Sequence, residues 1–210
     1  QILTQWLKDW IWISVIWNFP IVIKDKMFLS REELTKIGFK SIGENVLISD
    51  KASIYSPQNI ELGNNVRIDD FVILSVSANL KIGNYSHIGC YTSIIGGGDV
   101  VLEDYTSISG RVSIYSSNDD YTGLKMTNPC VPKEYTGVKS GPVTIKKHTI
   151  IGCNCVVLPN TILNEGVSVG SLSLLNGDYE EFSVYTGIPA KKIRNRQKRL
   201  LKYEEALRNS

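Results

Sequence analysis

The sequence has few residues of the kinds that usually define a protein's chemistry. Histidine occurs twice in 210 residues, at His87 and His148, so candidates for a histidine base are scarce. Four cysteines do not suggest a disulfide framework or a zinc module in a chain of this size, which predicts reduced thiols and a cytoplasmic protein. With 23 Lys and Arg against 21 Asp and Glu, the formal charge is +2, so no global field recruits nucleic acid.

Long hydrophobic runs are also lacking. The longest uncharged run near the start, Trp10 to Ile23, is too short for an ordinary transmembrane helix, and a signal peptide's basic start and cleavage site are missing. Trp6, Trp10 and Trp17 fall on one helical face. The favoured interpretation is that this face packs on the end of the domain or on a neighbouring subunit. The alternative is an interfacial anchor at the inner face of the membrane, for a lipid-linked substrate.

What the sequence does contain is a six-residue repeat of aliphatic positions. The aliphatic positions come in groups of three, with a step of six residues within a group and eight residues between groups, so the period is 20 residues. The groups are Ile42, Ile48 and Ile54; Leu62, Ile68 and Leu74; Ile82, Ile88 and Ile94; and Leu102, Ile108 and Ile114. The ladder then resumes without the two extra residues, at Ile145, Ile151, Val157, Leu163, Val169 and Leu175.

Such a repeat predicts a solenoid in which stacked coils bury a continuous aliphatic ladder that no coil could bury alone. A β-sandwich is the alternative, but it has no reason to keep a six-residue register over two separate tracts. The expected fold class is all-β, a parallel β-helix. We predict a helical N-terminal segment over residues 1–40, a β-helix domain over 41–190 with an extended loop over 115–144, and a basic C-terminal helix over 191–210.

Three further motifs accompany the hexads: the loop end from Gly141 to Ile145 (GPVTI), the run from Ile151 to Pro159 (IGCNCVVLP) and the run from Thr186 to Ile193 (TGIPAKKI). Together they resemble the hexapeptide-repeat acyltransferases, which are left-handed parallel β-helices, and within them the maltose, galactoside and polysaccharide O-acetyltransferases. The resemblance implies acetyl-CoA as acyl donor and a homotrimer with the donor in the groove between subunits. It implies donor-binding roles for Gly152, Gly170, Pro189, Ala190, Lys191, Lys192 and Arg194. No metal is expected, because the related carbonic anhydrases need three histidines.

Acetyl transfer to a hydroxyl requires a base that takes its proton. The relatives carry a catalytic histidine on the extended loop, but here that loop has none, so the base cannot be copied across. The 20-residue register places Leu47, Arg67, His87 and Ser107 in one column, where Arg67 would favour a neutral imidazole. We therefore predict His87 as the general base, the alternative being an ordinary corner histidine, and a structural role for His148.

The loop over 115–144 interrupts an otherwise regular solenoid, which is more often functional than accidental. Its polar centre, Asn118, Asp119, Asp120 and Tyr121, is the predicted acceptor site. The expected activity is transfer of an acetyl group to a sugar hydroxyl, in a precursor of a surface polysaccharide. One alternative is N-acetylation of a nucleotide-linked amino sugar, and another is a scaffold without catalytic activity. The acceptor is accordingly a small sugar or one linked to lipid or nucleotide.

Overall fold

The computed structural model describes residues 27–209, which form a parallel β-helix with a short α-helix near each end of the described chain. The predicted all-β solenoid is confirmed. The Trp-bearing helix and its membrane contact fall on residues outside those described. Between residues 27 and 209, no helix has the length and apolar character needed to cross a membrane.

Within residues 27–209 the strands form three faces. The first face stacks β1 (Ser41–Ile42), β4 (Ile60–Leu62), β7 (Leu80–Ile82), β10 (Val100–Leu102), β15 (Val143–Ile145), β18 (Thr161–Leu163) and β21 (Asp178–Tyr179). The second stacks β2 (Leu47–Ile48), β5 (Arg67–Ile68), β8 (His87–Ile88), β11 (Ser107–Ile108), β16 (Ile150–Ile151), β19 (Ser168–Val169), β22 (Ser183–Thr186) and β23 (Lys191–Asn195). The third stacks β3 (Ser53–Tyr55), β6 (Ile73–Val76), β9 (Ser93–Gly96), β12 (Ser113–Tyr115), β17 (Val156–Val157) and β20 (Leu174–Leu175).

The aliphatic ladder forms the core. Strands pair in parallel so that equivalent ladder residues lie directly over one another, as Ile68, Ile88 and Ile108 do on the second face. All three side chains are fully buried. Small polar residues fill the corners, where their hydroxyl groups form hydrogen bonds. The Oγ1 of Thr106, for example, donates to the Oγ of Ser86 at 2.9 Å.

The N-terminal end of the coil stack is covered by α1 (Arg31–Ile37). A capping box starts this helix: Ser30 accepts from the backbone of Glu33, and the Glu33 carboxylate accepts from the backbone of Ser30. Gly38 ends it in the left-handed conformation, at φ +85°. Leu34 is buried and joins the aliphatic core, so the helix closes the first coil.

The extended loop is slightly shorter than predicted. Tyr115 still belongs to β12 and Val143 already belongs to β15, because both positions are held by pairing with the coil before the insertion. The arm leaves through an antiparallel ribbon of β13 (Ser117–Asn118) and β14 (Lys139–Ser140), and it contains a 3₁₀ turn at Lys133–Tyr135. Coils on both sides of the insertion remain in register.

The predicted C-terminal helix is confirmed as α2, but it covers Leu200–Arg208 rather than residues 191–210. Lys191–Asn195 instead form β23, which runs antiparallel to β22. The physical reason is that β22 is the last parallel strand of its face. Pairing with β23 satisfies backbone groups that would otherwise form an open sheet edge.

A buried carboxylate holds α2 against the coils. The Oε2 of Glu204 lies 2.6 Å from the Nε2 of His148, and its Oε1 accepts from Lys147 at 3.1 Å and from Arg208. Burial acts to raise the pKa of Glu204, but the hydrogen bonds from His148 and Lys147 lower it to about 2. The His148 ring also stacks on Tyr105, 5.0 Å between centroids. These contacts fit the structural role expected for His148.

Candidate active site

His87 lies on the outward side of β8, at the second face. Its register partners are Arg67 on the preceding coil and Ser107 on the following one, as the 20-residue column predicts. The side chain is 43% exposed, so a substrate can reach the ring. Its Nε2 lies 2.8 Å from the Oδ2 of Asp69, and the other oxygen of Asp69 accepts from the Nε of Arg67 at 2.7 Å.

Asp69 is a site residue that the sequence pattern did not predict, and it lies between Arg67 and the imidazole of His87. Burial acts to raise the pKa of Asp69, but hydrogen bonds from His87 and Arg67 outweigh it and hold the pKa below its ordinary value of 3.8. A signal was present in the sequence. Asp69 follows Arg67 by two residues, which places both on one side of the strand, and its register neighbour Gly89 has no side chain to fill the space.

A cavity of about 330 Å³ opens next to this cluster, between Asp69, Cys90 and the Phe71–Tyr91 corner. The rings of Phe71 and Tyr91 stack with centroids 4.9 Å apart. Lys51 lies over the Phe71 ring and Arg111 over the Tyr91 ring, each 5.4 Å from the centroid. Because cations cover both outer ring faces, this corner is a closed stack that stiffens the wall of the cavity.

Small residues continue along the second face beyond His87. Gly89, Ser109, Gly152 and Gly170 occupy one outward column. A Cβ at Gly152 would lie 2.6 Å from the backbone nitrogen of Ser171, so glycine is required there for close stacking of coils. The column leaves the face open for an extended ligand, while donor binding by Gly152 and Gly170 stays a prediction.

Asp119 and Asp120, two neighbouring carboxylates of the loop, differ in their hydrogen bonding. Asp120 accepts from the hydroxyl and backbone of Thr122, at 2.6 and 2.9 Å, and from the backbone of Lys125 at 2.7 Å. The hydrogen bonds from Thr122 lower the pKa of Asp120 to about 2. Asp119, in contrast, has no hydrogen bond or ion pair with any residue between 27 and 209. Asp120 therefore stabilises the loop, whereas the Asp119 carboxylate is available to a ligand.

A second cavity, of about 440 Å³, lies within the loop. Asn118 and Asp119 line it, together with Asn128 and Lys133, while Tyr121 is 89% exposed and lies outside the lining. The structure thus brings together two of the four predicted acceptor residues. Asn128 and Lys133 were missed, because the repeat pattern carries no register through an irregular loop.

The C-terminal basic residues are also unequal. Lys192 pairs with Glu180 at 2.7 Å, whereas Lys191 and Arg194 have no ionic partner within the described part of the chain. The backbone N–H of Ala190 donates to the carbonyl oxygen of Leu174 at 2.9 Å, which fixes the segment to the last coil.

His87 and the loop cavity are separate within one chain. His87 lies on the second face, and the loop leaves after β12 on the third face. The cavity next to Asp69 has no lining residue from the loop, and the loop cavity has none from the second face. Among residues 27–209, no group of three or more His, Cys, Asp or Glu side chains is arranged to hold a metal ion.

Comparison with known proteins identifies the family. The chain is 53% identical over 184 residues to a dTDP-4-amino-4,6-dideoxy-D-glucose acyltransferase of Escherichia coli, and the match covers 87% of this chain and 96% of that relative. The chain belongs to the hexapeptide-repeat acyltransferases. Another relative of this acyltransferase is the putative lipopolysaccharide biosynthesis O-acetyl transferase WbbJ of Escherichia coli K12, 38% identical over 69 residues, which are 33% of this chain and 35% of WbbJ. No family model matches the chain.

A solved structure resembles this acyltransferase along nearly its whole length. It is a variant of the N-acyltransferase AntD of Bacillus cereus in which one aspartate is replaced by asparagine, in complex with dTDP and coenzyme A. The TM-score is 0.85 and the identity 44%, and the match covers 88% of this chain and 100% of AntD. Other AntD structures carry substitutions of a serine ten residues before that aspartate.

Proposed function

We propose that this acyltransferase transfers an acyl group from an acyl-CoA to the amino group of a nucleotide-linked amino sugar. The observation that carries the proposal is the 53% identity to the amino-sugar acyltransferase over nearly the full length of both chains. It favours the alternative stated above over the first expectation, a sugar hydroxyl, because the O-acetyltransferase relative matches only 69 residues. The donor is proposed as an acyl-CoA, with acetyl-CoA as the simplest, since AntD has been solved with 3-hydroxybutyryl-CoA.

The geometry of the second face suits a proton acceptor for this reaction. The amine must lose its proton as its nitrogen attacks the thioester carbon, after which the carbon–sulfur bond breaks and CoA leaves as the thiol. Hydrogen bonding to Asp69 through Nε2 selects the tautomer that leaves Nδ1 of His87 free to accept that proton. We propose His87 as the base and Asp69 as its positioning residue.

The AntD variants support a second candidate for the base. A serine and an aspartate ten residues apart also occur here as Ser109 and Asp119, although Ser168 and Asp178 share that spacing. Ser109 lies in the small-residue column of the His87 face, and Asp119 lines the loop cavity with no partner among residues 27–209. A carboxylate can both attract the protonated amine and take its proton. Comparing variants of His87 and Asp119 therefore decides which group is the base.

A homotrimer, as the family resemblance implies, would bring the second face of one subunit towards the loop of the next. In this arrangement the donor would lie along the column of Gly152 and Gly170, with its phosphates near Lys191 and Arg194. Lys192 would contribute less, because Glu180 already neutralises it. The acceptor would enter from the loop side.

The test is a set of matched acceptors incubated with acetyl-CoA and the full-length protein, with products identified by mass. We expect acylation of dTDP-4-amino-4,6-dideoxyglucose and none of the corresponding sugar with a hydroxyl at C4. Transfer only to hydroxyl acceptors would overturn the proposal in favour of O-acetylation. Failure to bind any CoA thioester, measured by calorimetry, would support the scaffold interpretation instead.

A further inference from the structure

We propose that the loop cavity is the sugar subsite of the acceptor and that its aliphatic wall selects a sugar with a methyl group at C6. This inference rests on the proposed function, and it adds what that function leaves open, namely which residues read the sugar. The cavity of about 440 Å³ is of the size that small-ligand sites usually have.

The lining of the cavity combines two kinds of side chain. Asp119 has no partner among the described residues, and the ammonium of Lys133 is likewise unpaired there. The aliphatic wall consists of the side chains of Ile95, Val131 and Val138. Apolar side chains together with a few unpaired polar groups are the usual composition of a site for a small amphipathic ligand.

The polar residues of the lining fit the amine and the diphosphate of the acceptor. The carboxylate of Asp119 can hold an ammonium group, and Lys133 can meet a phosphate oxygen. The backbone of Cys130 donates to the Oδ1 of Asn128 at 2.9 Å, which leaves the Asn128 amide NH₂ free to donate to a ring hydroxyl. These groups fix the orientation of a sugar without constraining C6.

The three aliphatic residues account for discrimination at C6. A methyl group packed on Ile95, Val131 and Val138 leaves water at no cost in hydrogen bonds. A hydroxymethyl group in the same place would lose its hydrogen bonds to water and find no partner among these side chains. Discrimination of this kind in an apolar pocket amounts to about 10- to 100-fold in kcat/KM.

The test compares dTDP-4-amino-4,6-dideoxyglucose with its 6-hydroxy counterpart, using the wild-type protein and the variant Val131→Thr. Thr is nearly isosteric with Val and supplies a hydroxyl partner, so the preference for the 6-deoxy sugar should fall at least about threefold. The matched control is Val101→Thr, a half-buried valine on β10 outside the cavity, which should keep the wild-type preference. Affinity for dTDP alone, which has no sugar, should be equal in all three proteins.

Three results would overturn the inference. Equal kcat/KM for the two acceptors in the wild-type protein would remove the selectivity itself. An equal response of Val131→Thr and Val101→Thr would separate the selectivity from this wall. A changed preference between acetyl-CoA and 3-hydroxybutyryl-CoA, with no change between acceptors, would assign the wall to the acyl group. If neither amino sugar is acylated by the wild-type protein, the proposed function itself fails.

Discussion

Asp69 and His87 lie on successive coils, and their side chains meet at 2.8 Å between the Oδ2 of Asp69 and the Nε2 of His87. The same carboxylate accepts from Arg67, so its position is fixed from two sides. An imidazole held in one tautomer by a fixed carboxylate is prepared to accept a proton at its other nitrogen.

Replacing His87 with Asn should lower kcat for acyl transfer by about 10²–10⁴ and leave acyl-CoA affinity nearly unchanged. Asp69→Asn should keep the fold but shift the pH–rate profile, because the tautomer is no longer fixed. Steady-state kinetics across pH check both. His148→Asn is the control and should retain near wild-type turnover per folded molecule. Full activity of His87→Asn would refute the assignment.

Asp119 and Asp120 should respond differently to neutralisation. Asp119→Asn should reduce kcat/KM for the amino-sugar acceptor, because an unpaired carboxylate next to the ligand is lost. Asp120→Asn should act through the loop, because Asp120 holds the turn at Thr122 and Lys125. Hydrogen exchange of loop amides separates the two effects: faster exchange is expected only in Asp120→Asn. A large loss of kcat in Asp119→Asn, with little loss in His87→Asn, would favour Asp119 as the base.

We expect the phosphates of the donor to bind Lys191 and Arg194, the basic residues of β23 that have no ionic partner within the described part of the chain. The double variant Lys191→Gln with Arg194→Gln should weaken CoA binding about tenfold or more and leave binding of phosphate-free pantetheine unchanged. Lys192→Gln is the matched control, and its effect should be smaller because its ammonium is paired with Glu180. Calorimetry with both ligands gives the comparison. Equal weakening of CoA and pantetheine would contradict a phosphate contact.

Acid should release α2 from the coils. The pKa of Glu204 is depressed from 4.5 to about 2 in the folded protein, so its stabilising contribution is complete above about pH 4.5 and is lost as pH falls towards 2. Glu204→Gln should therefore lower Tm at neutral pH, and the difference from wild type should shrink by about pH 3. Thermal unfolding at several pH values measures this. A pH-independent difference would mean that the carboxylate's charge is not the cause.

The ladder itself can be tested at one coil. Ile108→Ala should lower the free energy of unfolding by roughly 2–5 kcal/mol, because the fully buried side chain leaves a cavity between coils. Ile150→Ala is the control on the adjacent strand, where the side chain is 37% exposed, and its cost should be clearly smaller. Urea unfolding gives both values.

The architecture was predictable because every coil of the repeat carries the same sequence pattern. Each ladder position, such as Ile88 or Ile108, has the same environment one coil away, so local errors cannot shift the register. The C-terminal strand was not predictable in this way. The basic composition of Lys191–Asn195 is typical of an exposed helix. The segment forms a strand because it pairs with the open edge of β22, which the local sequence does not indicate.

The candidate site was predictable in part for the same reason. The column of Arg67, His87 and Ser107 follows from the repeat, but the contact of His87 with Asp69 depends on side-chain directions at a corner. In the loop, Asp119 and Asp120 are adjacent and chemically identical. Their hydrogen bonding differs because the turn at Thr122 binds Asp120, and this turn exists only in the folded loop.

The arm between β12 and β15 enters and leaves the coil stack without disturbing it: β10 pairs directly with β15, and β12 with β17. Gly98 permits this junction, because a Cβ there would collide with the carbonyl oxygen of Gly141 at the returning end of the arm. Length and composition of the arm are thus decoupled from the stability of the frame. Grafting a different arm between Ser116 and Gly141 is accordingly a route to new specificity that leaves the ladder contacts of Ile108 and its neighbours intact.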